Sequence, residues 1–458
     1  MARRHQGCAL LAGVTALIVA LSAALYVTVA SGDGTARTTS AAGRPHGSAA
    51  PASSGTWVGT WSASPVAAEP GTGVTGLAGR SVRNVVHTSV GGTSARVTLS
   101  NLFGRRPLTL THVSLALAAD EDGPAAAAGT MRRLAFGGRT TVVVPAGRQV
   151  VSDPVALHVP ADADVLVTTY SPTPSGPVTS HPRARQISYA AVGERTRDLG
   201  GAAYTEQTET WRYVTALDVL GDEADGTVVA FGDSLTEGAD SGVGENRRWP
   251  DVFARLLREA AEEGRDVPRL GVVNQGISGN RVLADGFTGG LTGHGLAGGG
   301  PRAGVPDNPS GLRRFSRDAL DRPGVRTVVV DLGVNDILRH PDVADPDRIL
   351  DGLRTLVRRA HARGVKVVGA TLMPFKGHPR WSGDREEVRQ RINAEIRAGR
   401  VFDAVADFDR AVRDPYDPRR LRSDYDCGDH LHLSDRGYAR MAQALDPDDL
   451  EGGPPVRR

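Results

Sequence analysis

Residues suited to acyl transfer recur through the second half of the chain. Ser234 stands in Gly232-Asp233-Ser234-Leu235, Asn335 in Gly333-Val334-Asn335-Asp336, and Asp429 and His432 in Asp429-His430-Leu431-His432. Between the first two lies Gln275-Gly276-Ile277-Ser278-Gly279-Asn280. A serine hydroxyl becomes a nucleophile when an imidazole takes its proton and a carboxylate orients that imidazole. Asp429 and His432 are three apart, so on a helical turn they share a face. The second ring nitrogen is then available to Ser234. His430, directly beside Asp429, is the less suitable base. The Asn335 amide is a neutral donor for a developing oxyanion, and a glycine after a strand lets a backbone N–H approach one closely.

Each block also has a structural reading. Ser234-Leu235-Thr236-Glu237 fits a helix-capping box. Asn335 suits a helix N-cap, and the 275–280 segment an ordinary turn between strand and helix. His430 and His432 could ligate a metal, but no HExxH or comparable cluster accompanies them.

The elements around these blocks weigh on the choice. β-Branched runs predict strands over 227–231, 270–274, 327–332, 365–371 and 401–408. Helical patterns fall over 249–263, 310–320, 347–363 and 385–397, with a last helix from about 434. Pro250 sits in the first turn of the 249–263 helix. Such alternation implies an open, mostly parallel sheet with helices on both faces, and ligands bind those sheets at the carboxyl ends of the strands. Every chemical block but the last directly follows one of these strands.

The first half differs. Arg3 and Arg4 precede an apolar run from Cys8 to Ala30 that reads as an export element, either a cleaved signal peptide or a membrane anchor. The 31–55 stretch is a Ser/Ala/Gly/Thr/Pro-rich tether. From 56 to 222 short alternating segments punctuated by Gly, Pro, Asn and Asp predict an all-β sandwich, jelly-roll-like. Trp61 and Trp211 there could contact a sugar or fill a core. A polar joint leads into the α/β domain over 226–449, and 450–458 is a tail. The charges nearly cancel, 54 basic against 52 acidic, which argues against a nucleic-acid partner. With two cysteines, Cys8 and Cys427, a processed chain would hold one thiol and no disulfide.

Taken together, Gly-Asp-Ser-Leu at 232–235, Gly279, Gly333-x-Asn335 and Asp429-x-x-His432 stand in the order and spacing of the SGNH (GDSL-type) hydrolases, and the chain resembles that family from Thr227 to about Leu445. Trp57 to Pro65 is similar to the opening of the β-domain in a secreted bacterial subgroup. Leu433-Ser434 departs from the Pro-Asn of many relatives, which affects a helix start more than the chemistry.

The resemblance implies a flavodoxin-like three-layer α/β/α fold and an extracellular serine esterase. Ser234 would be its nucleophile, His432 its base and Asp429 the orienter. The oxyanion would be held by the Ser234 and Gly279 N–H groups and the Asn335 amide, and no metal or organic cofactor is required. The expected substrate is a small-molecule or polysaccharide ester of a short acyl group such as acetyl. A lipase or lysophospholipase, or a carbohydrate-binding surface protein with an inert hydrolase domain, are the alternatives. Membrane contact is expected only through the N-terminal segment. The glycine-rich 286–308 insertion is a candidate lid, Cys427 a passive thiol, and Arg247 to Trp249 could line a substrate pocket.

Overall fold

Valine-rich runs form the strands of the second half: Gly226–Gly232, Leu270–Asn274, Val325–Asp331, Lys366–Ala370 and Ala404–Ala406. In this computed structural model, which describes residues 55–120, 123–221, 223–286, 308–339, 344–451 and 453, all five pair in parallel. Numbered along the chain, their spatial order is 2-1-3-4-5, the flavodoxin-like arrangement. Its crevice opens where chain direction across the sheet reverses, between Gly226–Gly232 and Val325–Asp331. Consecutive residues Val228, Val229, Ala230 and Phe231 are all buried, so both faces of the sheet are covered.

Local chemistry sets the covering helices. In Pro346–His361 the Asp345 carboxylate caps the Asp347 N–H, proline opens the helix, and Arg358, Arg359 and His361 sit at its negative end. Ile349, Leu350, Leu353, Leu356, Val357 and Ala360 form its buried stripe. Two expected elements differ from their sequence pattern. The last strand covers only Ala404–Ala406, because Asp407 caps a new helix, Phe408–Val412. The 310–320 helix is α-helical over Gly311–Phe315 and widens to a π turn over Ser316–Leu320.

The first half is antiparallel. One sheet joins Thr56–Ser62, Val214–Gly221, Gly92–Ser100 and Val155–Val159, and a second is centred on Arg80–His87, Asp164–Ser171 and His112–Leu117. Val58, Val97 and Leu217 of the first pack with Val82, Val113 and Val167 of the second in one core. Trp61 and Trp211 belong to it, edge to face with ring centroids 4.8 Å apart. Of the two readings of these tryptophans, the structure favours the core one over the sugar contact.

The β-region is keyed onto the parallel sheet. Gly59 N–H donates to Thr227 Oγ1 at 2.9 Å, and Val272 N–H to Ser89 Oγ at 3.0 Å. Glycine at 271 makes this approach achievable, since a Cβ there would run into the Gly59 carbonyl. The expected export element, nearly all of the tether and the body of the 286–308 insertion lie outside the described residues. Among the described residues no helix is long and apolar enough to cross a membrane.

Candidate active site

The Gly226–Gly232 strand ends in a sharp turn into the short helix Ser234–Glu237. Asp233, not Ser234, caps this helix, its carboxylate accepting the Leu235 N–H at 3.1 Å. The capping-box reading of Ser234 and Glu237 is corrected accordingly. Ser234 is the first helical residue and its hydroxyl points elsewhere: Oγ lies 2.8 Å from His432 Nε2. His432 Nδ1 lies 2.6 Å from Asp429 Oδ2.

Asp429 and His432 do not share a helical turn, as their spacing suggested. They sit in a loop closed by a bridge between Asp426 and Leu433. Asp429 Oδ1 accepts the N–H groups of Leu431 and His432 at 2.9 and 2.8 Å, which curls the chain so that Oδ2 meets the ring. Burial works to raise the Asp429 pKa, but the His432 contacts and these two N–H donors outweigh it and hold the carboxylate well below its ordinary range. An ionised Asp429 only accepts, so Nδ1 carries the proton and the Nε2 lone pair faces the Ser234 hydroxyl. His430 is engaged separately, its Nδ1 2.6 Å from Asp426 Oδ2.

Asn335 follows the Val325–Asp331 strand across the crevice, in the helix Val334–Leu338. It is not that helix's cap, a position taken by Gly333 with φ 133°. One amide N–H goes to Asp233 Oδ2 at 3.0 Å, and Arg339 Nε donates to Oδ1 at 3.1 Å. An amide nitrogen has two hydrogens, so the second remains for a ligand. Asp233 is fully buried beside Asp331, and burial followed by that neighbouring carboxylate drives its pKa well above the usual range. Gly279, at φ 72°, lies in a loop held to the same strand end by Ile277 N–H on the Gly232 carbonyl at 3.2 Å. Among the described residues, neither the Ser234 nor the Gly279 N–H meets an acceptor.

Other expectations resolve as packing. Trp249 is fully buried, its ring 5.6 Å from that of Phe408, and Arg248 is buried against Asp251. Burial, with the Asp429 and Asp240 carboxylates nearby, pushes the Cys427 thiol up to about 12, which suits an inert group. Among the described residues, side chains with metal-donor spacing are Asp240, Cys427 and Asp429, within 4.8 Å of one another. Neither histidine of the 430–432 segment joins them.

Several functional neighbours escape sequence reasoning. Asp233 and Arg339 hold Asn335 from both sides, and only the four-residue spacing of Asn335 and Arg339 on a helix hinted at the second contact. His181 comes from the β-region. Its Nδ1 donates to the Ser64 carbonyl at 2.7 Å, and its Nε2 is 3.4 Å from Glu237 Oε1. Glu237 in turn accepts from the Ser278 hydroxyl, next to Gly279. No local pattern marks His181.

A sequence profile of the GDSL-like Lipase/Acylhydrolase family matches residues 230–440. Platelet-activating factor acetylhydrolase IB subunit alpha1 of Pongo abelii is 31% identical over 141 residues, 29% of this chain and 55% of that protein. The chain thus spans about half the length of this curated relative. An acetylxylan esterase from Geobacillus stearothermophilus is 19% identical, covering 48% of this chain and 92% of that one, with a TM-score of 0.33. A GDSL-like lipase from Bacteroides thetaiotaomicron is 19% identical, covering 48% and 85%, with a TM-score of 0.32. The profile spans the strand ends that carry Ser234, Gly279 and Asn335 and the loop that carries His432, so residues 230–440 form a GDSL-like lipase/acylhydrolase domain, that of a serine ester hydrolase.

Proposed function

We propose that this protein is an exported serine esterase that hydrolyses esters of short acyl groups, acetyl foremost, on small molecules or carbohydrate. The hydrogen-bonded line from Ser234 Oγ through His432 to Asp429, at 2.8 and 2.6 Å, carries this reading. Ser234 Oγ attacks the ester carbonyl while His432 Nε2 accepts its proton. The Ser234 and Gly279 N–H groups and the free Asn335 N–H bond the oxyanion. His432 then gives its proton to the leaving alcohol as the acyl C–O bond breaks. Water attacks the acyl-serine by the same route, releasing the acid and restoring Ser234.

An acetylhydrolase among the relatives supports a short acyl group. Export rests on Arg3, Arg4 and the apolar run after them. The two larger antiparallel sheets are taken as a sandwich that braces the hydrolase. Hydrolysis of aryl esters of graded acyl length, by wild type and Ser234→Ala, tests the reading. A loss of about a thousandfold or more in the variant is expected. Equal rates in the two proteins would overturn it, and a preference for long acyl chains would move the activity to that of a lipase.

A further inference from the structure

We propose that the substrate carries a negative charge close to its ester group, held by a cluster of four arginines on the Asn335 side of the site. The proposal rests on the esterase reading and names its substrate class.

The four come from separate parts of the chain. Arg339 lies one helical turn beyond Asn335 and touches its amide oxygen at 3.1 Å. Arg380, exposed in the loop after Lys366–Ala370, donates Nη1 to the Leu338 carbonyl at 3.2 Å, at the end of the same helix. Arg281, two residues after Gly279, is half-buried, and its Nη2 reaches the Asp285 carbonyl. Its Nε is buried and has no partner among the described residues. Arg183 is contributed by the β-region, exposed at the end of Thr179–Pro182 with φ 57°. Arg380, Arg281 and Arg183 all act on Arg339 as neighbouring cations. With burial as the larger cause, they hold its pKa below the ordinary value.

Like charges gathered this way repel one another and need a counter-charge. Many of the described arginines have one; Arg389, for instance, bonds Glu386 and Asp409 at 2.6 and 2.8 Å. Among the described residues Arg281, Arg339 and Arg380 have no carboxylate at ion-pair distance. The nearby Asp285 is used by Arg313 at 2.9 Å. Asp233 is buried and held toward its neutral form. One arginine could be explained as a cation at the negative end of the helix Val334–Leu338. Arg281, Arg339 and Arg380 around a five-residue helix exceed that need.

The opposite side of the site is acidic, with Asp240 and Asp429 beside His432. A substrate anion would therefore be drawn to the arginines and kept from the His432 side, which orients the ester between them. Guanidinium groups bind carboxylate, phosphate and sulfate oxygens in pairs. The charge could belong to the acyl group, as in a dicarboxylic half-ester, or to the alcohol, as in an acidic sugar.

Matched aryl esters separate these sources. Aryl hemisuccinate is compared with aryl pentanoate for the acyl side, and 3-acetoxybenzoate with 3-acetoxybenzamide for the alcohol side. At low ionic strength one anionic ester should show a kcat/KM about tenfold or more above its neutral partner, falling toward parity in ~0.5 M salt. Arg380→Gln with Arg183→Gln should cut that ratio severalfold, while Arg265→Gln, on a distant turn, should leave it unchanged. Ratios at or below one in both pairs, or ratios indifferent to the double substitution, would overturn the proposal while leaving the esterase reading intact. Absence of Ser234-dependent hydrolysis of any ester would instead remove the esterase reading. The arginine cluster is then read by thermal shift of Ser234→Ala with succinate and benzoate, where stabilisation abolished by the double substitution supports it and no stabilisation refutes it.

Discussion

Replacing Asp429 by Asn measures how much of the reaction depends on one half-exposed carboxylate. Asparagine can keep the Oδ1 contacts to the Leu431 and His432 N–H groups, so the loop should hold its shape. At Oδ2, however, an NH2 donor replaces the acceptor 2.6 Å from His432 Nδ1. The ring must then offer its Nδ1 lone pair and carry its proton on Nε2, where it can no longer accept from Ser234. A unit charge about 4 Å from an imidazolium is worth about 4 kcal/mol at an effective dielectric near 20. The Asp429 side chain is 44% exposed. Solvent screening reduces the figure to roughly 2 kcal/mol, about thirtyfold in rate. The wrong tautomer adds roughly another tenfold.

A second carboxylate limits the loss. Asp240 Oδ2 lies 3.8 Å from the same Nδ1 and retains some negative charge beside the ring. Steady-state hydrolysis of a neutral aryl acetate should show kcat down about a hundred- to a thousandfold in Asp429→Asn, with KM little changed. Asp240→Asn alone should cost less than about fivefold, and the double variant more than the product of the two. Near-wild-type kcat in Asp429→Asn would refute the orienting role. Strict multiplicativity in the double variant would refute the part given to Asp240.

Two further outcomes follow from buried contacts. Burial alone would lower the His87 pKa, but hydrogen bonds to Asp162 and Asp164 carry it up to about 9 from an ordinary 6.5, and Asp162 also pairs with Arg258 of the Trp249–Glu262 helix. The resulting stability is fully present below pH 6.5 and is lost as pH rises through about 9. Thermal melts should therefore fall by about 1–2 kcal/mol of stability between pH 7 and 10, and His87→Gln should flatten that slope. Gly276→Ala would place a Cβ against the Glu237 backbone, separating the Gly279 loop from the nucleophile's helix. It should cost at least about 2 kcal/mol in chemical denaturation and lower kcat in the surviving folded fraction.

The residues of the candidate site were legible in the sequence because their motifs are local. Gly232-Asp233-Ser234, Gly333-x-Asn335 and Asp429-x-x-His432 are contiguous, and β-branched runs announce the strands that place the first two. The roles that were misread turn on backbone details that residue types leave open. Asp233 takes the cap that Ser234 could have taken, and Asp429 meets His432 through a curled loop in place of a helical turn. What stayed illegible is long-range. His181 meets Glu237 across more than fifty residues, and Trp211 and Trp61 are joined only once the β-sheets close. Neither partner carries a local signature, since the pairing is decided by which strands assemble.

The contacts between the β-region and the parallel sheet bear on what can be inherited or exchanged. Ser64 hydrogen-bonds Gln275, Asp318 and Arg314, and all four are buried beneath the strand ends that carry the site. Cut away from the β-region, the hydrolase half would expose or orphan a fully buried arginine and its partners. The two halves are thus not interchangeable modules on a string. A recombinant swapping in another β-region must bring its own equivalents of Ser64 and His181, and a gene duplication that lost them would lose the enzyme with them.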